Sequence, residues 1–260
     1  MENKKFIITI VILILIILGL GSFIYYDKFY KTEEEKAILT TIDGTNFDLS
    51  TLYKIGDILN RFDVAFGDSN STYLGYIYKD KLYAKDFDEK AALYGTIYKD
   101  LASNNGNKIL FGENVKNNFE NIFGDNLTYN SSNILDGEYI NVKYIAASDR
   151  YNYTINGVYN TYSPKYMEKT ISTSITKDSI IVKRKVFYVE YNTSGTETIS
   201  ANIYTDSGKS KNIGTIKLKN EIINLNEIMA KYSSRLNTYK YTFKQSSDGD
   251  YYFYSIEKDK

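Results

Sequence analysis

The sequence predicts an α+β fold: an N-terminal transmembrane helix, then helices packed on a mainly antiparallel β-sheet. Three observations predict it. Residues 6–26 form an uncharged run, mostly Ile and Leu, long enough to cross a bilayer. Apolar residues then recur at helical spacing between Leu49 and Gly124. From about Leu127 the spacing shortens to alternation, interrupted by Gly-, Asp- and Ser-containing turns. Helices followed by strands are the signature of α+β.

The membrane segment comes first. Twenty-one residues, Phe6 to Tyr26, carry no charge, and at ~1.5 Å per helical residue they span roughly 30 Å, the thickness of a hydrocarbon core. Lys4 and Lys5 precede the run, and Tyr25, Tyr26, Phe29 and Tyr30 follow it as an interfacial belt. Gly19 and Gly21 before Ser22 offer a signal-peptidase alternative. The apolar run continues through Phe23-Ile24-Tyr25, which favours an uncleaved signal-anchor. The expected organisation is a cytoplasmic tail (1–5), a single-pass anchor in the cell membrane (6–26), a charged stalk (27–45) and an extracytoplasmic domain (46–260). A soft boundary falls near Asn133.

Within that domain, Leu52, Ile55, Leu59, Phe62 and Phe66 share one face of a helix over about 49–66. Asp86 and Glu89 read as an N-cap and capping-box partner for a second helix, which places Phe87, Ala91, Tyr94, Tyr98 and Leu101 together. Tyr73 to Tyr83 is apolar and aromatic enough for a strand. Val115, Phe119 and Ile122 predict a short helix ended by Gly124. Strands follow at Ile140–Tyr144, then on both sides of Asn156-Gly157, a strong hairpin signal. Further strands are expected at 171–177, 179–191, 196–205 and 211–218. Asn224 with Glu227 caps a last short helix.

Composition excludes much chemistry. The chain has 260 residues, no Cys, no His, no Trp, and a single Pro, Pro164. Disulfides, thiolate and His-based catalysis, and Cys- or His-ligated metals are therefore ruled out, and no catalytic, cofactor-binding or metal residue is assigned. With 32 basic and 32 acidic side chains the net charge is zero, which removes the usual case for a nucleic-acid partner. The 27 Tyr, like the abundant Lys, Ile and Asn, follow from AT-rich codons. Two Ser-x-x-Lys tetrads, at Ser174 and Ser255, fall in strand patterns without the downstream Lys-Thr-Gly of penicillin-recognising enzymes. Asp68 to Thr72 starts like a calcium loop, yet Tyr73 and Lys79 stand where Gly and Glu are needed.

The C-terminal residues define a hairpin. With Asp248-Gly249 as a two-residue turn, Lys240 faces Glu257, Tyr241 faces Ile256 and Phe243 faces Tyr254. Tyr239, Tyr241, Phe243, Tyr252, Tyr254 and Ile256 then form a core face. Tyr251 and Phe253 fall on the polar face, flanked by Lys244. They are either covered by another element or exposed as a partner-binding site. The segments Tyr-Lys-Tyr-Thr-Phe (239–243) and Asp-Gly-Asp-Tyr-Tyr-Phe (248–253) resemble the last strands of NTF2-like and cystatin-like anchored domains. The whole chain resembles single-pass membrane-anchored proteins of low-GC bacteria. That resemblance implies an anchored α+β domain and carries over no functional residue.

The functional expectation is a non-enzymatic envelope binding or assembly module. Its partners are the lipid bilayer through residues 6–26, and an envelope glycan or another membrane protein through Tyr251, Phe253 and Lys244. The alternatives are an envelope hydrolase using an Asp/Glu pair, or a structural subunit of a membrane complex.

Overall fold

The computed structural model describes residues 39–42, 49–68, 71–102, 108–132, 134–136, 140–155, 162–194, 197–218 and 222–259. The anchor at 6–26, most of the stalk and the Asn156-Gly157 turn lie outside these residues. Among the described residues no helix is long and apolar enough to cross a membrane. Among the described residues, four helices and antiparallel sheets give the α+β class. Thr41–Lys260 is a single compact unit.

After strand β1 (Leu39–Ile42) comes helix α1 (Leu49–Gly67). Ile55, Leu59, Phe62 and Phe66 of α1 are buried, as their spacing requires. Tyr73 to Tyr83 is largely turn, and only Lys81–Tyr83 extends as β2. Helix α2 spans Glu89–Ala102 and is capped two residues later than expected. Phe87 keeps an extended backbone to reach the core, leaving Asp86 in a 3-10 turn, and Asp88 Oδ1 accepts the Ala91 amide at 3.0 Å. Strand β3 (Lys108–Phe111) leads into α3 (Gly112–Phe123), which buries Val115, Phe119, Ile122 and Phe123. Gly124 ends α3 with φ +50°, and a Cβ there would lie 2.6 Å from the Tyr252 ring. Only glycine meets both demands.

Strands β4 (Leu135–Asp136), β5 (Ile140–Ile145) and β6 (Arg150–Ile155) join β3 in a small sheet ordered β3-β6-β5-β4. Because β3 pairs with β6, the chain on either side of Asn133 shares one sheet. The large sheet contains β7 (Lys165–Ile175), β8 (Ser179–Ser194), β9 (Glu197–Tyr204), β10 (Asn212–Lys217), β11 (Asn237–Gln245) and β12 (Tyr251–Asp259). Its path runs β7-β8-β11-β12-β2, with β9 pairing the far half of β8 and β10 pairing β9.

Strand β8 is the spine. Ile180, Val182, Val186 and Tyr188 point inward to a core shared with α1, α2, α3 and the small sheet. Phe187 and Val189 point to the opposite face, into a second cluster with Ile203, Ile213, Ile228 and Leu236. That second cluster is covered by α4 (Leu225–Tyr232). As expected, Asn224 caps α4, its side chain accepting from the Asn226 and Glu227 amides at 3.0 and 3.3 Å. Replacing Asn224 by Ala is expected to remove about 1 kcal/mol. That corresponds to a fall of roughly 2–4 °C in a thermal melt for a domain of this size. An unchanged melt would show that the cap is redundant.

A charged cluster interrupts the main core. Arg184 occupies an inward position of β8 and forks onto the Asp63 carboxylate at 2.6 and 2.7 Å. It also pairs with Glu168 of β7, whose side chain is 2% exposed. Burial pushes the Glu168 carboxyl well above the usual range. The Arg184 charge pulls it back, and the neighbouring Asp63 opposes that pull. Two carboxylates thus share one guanidinium, with the Tyr241 ring centroid 5.6 Å from it.

The C-terminal hairpin corrects the expected register. Lys240 faces Glu257, Tyr241 faces Ile256 and Thr242 faces Ser255, as the sequence suggests, but Phe243 then faces Phe253. Tyr254 is an extra residue, a β-bulge that turns everything before it to the opposite face. Gln245 pairs with Tyr251, so the connection is a longer loop in which Gly249 has φ +88°. Phe253 is fully buried, with its ring centroid 5.0 Å from that of Phe62 and 5.7 Å from that of Phe87. Tyr251 is also buried, and its hydroxyl donates to the Lys177 carbonyl at 3.0 Å. Tyr252 and Tyr254, expected in the core, are partly exposed instead.

Candidate functional site

Neither Tyr251 nor Phe253 presents a ring to a partner, because α1, α3 and the Thr176–Asp178 turn cover that end of β12. Lys244 is not with them. Its ammonium lies 3.7 Å from the Tyr254 ring centroid, on the outer side of the sheet. A concave surface lies elsewhere, between α1 and α3.

There α1 and α3 flank a groove of about 370 Å³ that contains Ser50, Lys54, Asp57, Arg61, Asn118 and Asn121. A second recess of about 350 Å³ continues it past Asn118 to Asn114, Asn117 and Asp100. Helical geometry explains the lining. Residues 115, 119, 122 and 123 of α3 turn into the core, which leaves Asn114, Asn117, Asn118 and Asn121 as a stripe along its open side. Asn is a poor helix former, and the four together weaken α3 by roughly 0.5 kcal/mol each relative to Ala. None of the four carboxamides makes a hydrogen bond among the described residues, so each offers an unused donor pair and an acceptor to the groove.

The charged floor is closed on itself. Arg61 donates to Asp57 at 2.7 Å, to Asp100 at 2.9 Å and to the Thr96 carbonyl at 2.6 Å. Lys99 also holds Asp57, and Lys54 reaches Asp250 at 3.0 Å. Partial burial pushes the Asp57 carboxyl up, but the hydrogen bonds from Lys99 and Arg61 outweigh it and hold the group below the usual range. The floor is therefore rigid, and Asp57 stays ionised. A glycosidase acid needs a raised pKa at an open cleft. Among the described residues the carboxyl so raised is Glu168, which is sealed in the core.

Two tyrosines neighbour residues that line the groove. Tyr53 is 77% exposed on α1, three residues after Ser50 and four before Asp57, a spacing that sets it beside both on the helix surface. Tyr252 lies behind Lys54, whose ammonium is 4.1 Å from its ring centroid. Among the described residues no group of three or more acidic side chains is placed to hold a metal ion.

The composition was no guide to this site, since Asn is abundant throughout the chain. The usable signal was periodicity: Asn at 114, 117, 118 and 121 follows the i, i+3, i+4, i+7 rule normally applied to apolar residues.

No known protein family matches the chain, and neither curated proteins nor solved structures yield a match. The groove stands on its own residues.

Proposed function

We propose that this protein is a membrane-anchored, non-enzymatic binding module of the cell envelope, held by residues 6–26 with its bulk outside, whose groove takes a polyhydroxylated chain. The observation that carries this is the stripe of four unpartnered Asn carboxamides along α3. A carboxamide donates and accepts in one plane, which suits paired sugar hydroxyls. An exposed aromatic such as Tyr53 stacks on the apolar face of a sugar ring. A floor with its charges already paired adds orientation without drawing in a charged ligand. The groove volume is in the range that such ligands occupy. An envelope glycan is the ligand of this chemistry within reach of an anchored domain.

The test is calorimetric titration of the full chain in detergent micelles with chitotetraose, cellotetraose and solubilised cell-wall glycan strands. At least one is expected to bind, and Asn117→Ala/Asn118→Ala is expected to weaken it by about tenfold or more, the loss of two net hydrogen bonds. The same double variant should melt at an equal or higher temperature, since Ala favours the helix. Loss of binding with gain of stability separates recognition from folding. Failure of all three probes to bind, or equal binding by the variant, would overturn the proposal.

A further inference from the structure

The outer face of the large sheet is divided. Around Phe187 and Val189 it is covered by α4 and the second cluster, whereas around Ile181, Lys183 and Lys185 it is open. The register places Lys240 beside Lys183 and Lys81 beside Glu257, all on this open half with Lys185. Lys244 completes the set at the end of β11. Among the described residues, five ammonium groups, those of Lys81, Lys183, Lys185, Lys240 and Lys244, therefore share this face with two carboxylates, Glu257 and Asp259. Lys183 and Lys240 both reach Asp259, at 2.8 and 2.7 Å, and Lys81 reaches Glu257 at 2.7 Å. Among the described residues this face is left with a surplus of three positive groups.

Aromatic side chains border the same face. The Tyr254 bulge sets its ring 5.7 Å from that of Tyr83, edge to face. Lys244 lies 3.7 Å from the Tyr254 centroid, and Lys81 and Lys85 lie 4.8 and 5.9 Å from that of Tyr83. Tyr rings with lysines over them are the side-chain chemistry of a membrane–water interface, where the ring sits at headgroup depth and the ammonium meets phosphate.

We infer that this lysine- and tyrosine-bearing face is a seat for an anionic lipid surface, namely the bilayer that carries the anchor. The inference rests on the anchored reading above and is independent of the groove. Charge complementarity selects the occupant. The tether supplies the concentration, because fourteen residues separate Tyr26 from Thr41 and span at most about 50 Å when extended. The contact is electrostatic, so it responds to lipid charge and to salt.

The chain contains no Cys, so one introduced thiol labels one site. Ser174→Cys places a fluorophore on the open face, and Lys116→Cys places one on α3, behind the opposite face of the sheet. The full chain is reconstituted in vesicles of phosphatidylcholine alone or with three parts in ten phosphatidylglycerol, each doped with a headgroup-quencher lipid. Resistance to alkaline extraction reports the anchor separately. The expected result is quenching of the Ser174 label at least twice as strong in the anionic vesicles, with no such difference at Lys116. Raising salt from 0.1 to 1 M shortens the screening length from about 10 to about 3 Å and should abolish that difference. Lys183→Gln/Lys185→Gln/Lys244→Gln should do the same without changing the melting temperature by more than a few degrees. Equal quenching in both lipids with the chain firmly inserted would overturn the lipid seat while leaving the anchor intact. Extraction of the chain by alkali would instead overturn the anchor. A change in the Ser174 label on adding soluble polyphosphate, with no response to anionic lipid, would assign the face to a soluble polyanion and overturn the lipid seat.

Discussion

Replacing Arg184 by Met is expected to remove about 3–5 kcal/mol of stability at pH 7, the range found when one partner of a buried ion pair is deleted. The guanidinium is buried, and it neutralises Glu168 as well as Asp63. Without it Glu168 must ionise unpaired among apolar side chains or hold a proton. Its carboxyl is already raised by burial in the native protein, and loss of the cation raises it further. The sign of the pH effect follows. A raised folded-state pKa gives stability that is fully present below the unfolded value, near 4.5, and lost as pH climbs through the folded value. The Arg184→Met deficit should therefore be smallest near pH 4 and grow towards neutrality. Urea unfolding of variant and parent at pH 4 and pH 7 checks this. Arg184→Met/Glu168→Gln should recover much of the neutral-pH loss, because Asp63 is one-third exposed and can turn to water. A deficit independent of pH, with no recovery in the double variant, would mean that Arg184 acts through packing alone.

Phe253→Ala is expected to be comparably severe, at about 3–5 kcal/mol, for a different reason. The ring is completely buried and makes edge contacts with Phe62, Phe87 and Phe123, so truncation leaves a cavity with rigid aromatic walls. Tyr254→Ala, one residue along, should lose less than about 1 kcal/mol, since its contacts with Tyr83 and Lys244 are at the surface. Comparing urea midpoints of the two variants tests the bulge directly. A straight hairpin reverses the order of the losses, with Tyr254 in the core and Phe253 in solvent.

That reversal shows where sequence reasoning stops. The helices were legible because each is written several times over: four or five apolar residues per face, a cap at Asn224 and a stop at Gly124. An error in one position leaves the others in agreement. The alternation of a strand has no such redundancy. Tyr251, Tyr252, Phe253 and Tyr254 are four aromatics in succession, equally acceptable on either face, so a single looped-out residue exchanges the two pairs without leaving a polar side chain in the core as a warning. The segment on the Ile256 side of the bulge was legible because Lys240, Glu257 and Thr242 mark the solvent face. Burial of Arg184 was visible in principle. It stands in the inward series 180, 182, 184, 186, and only its charge disguised it. Glu168 could not be matched to it, since pairing between β7 and β8 depends on a second bulge, at Thr170/Ser172. The groove was illegible for a simpler reason: it is made by two helices about sixty residues apart in the chain, and local spacing cannot bring them together.

The double membership of β8 also sets how this chain can diverge. Val186, Phe187, Tyr188 and Val189 are buried in succession, two facing one core and two facing the other. Most strands leave every second residue free to drift, so a lineage can exchange half of their letters at little harm. Here mutation finds no neutral side. Among diverged copies of this gene, these four positions should be the slowest to change even though they belong to neither the groove nor the lysine face, and their invariance would record architecture rather than activity.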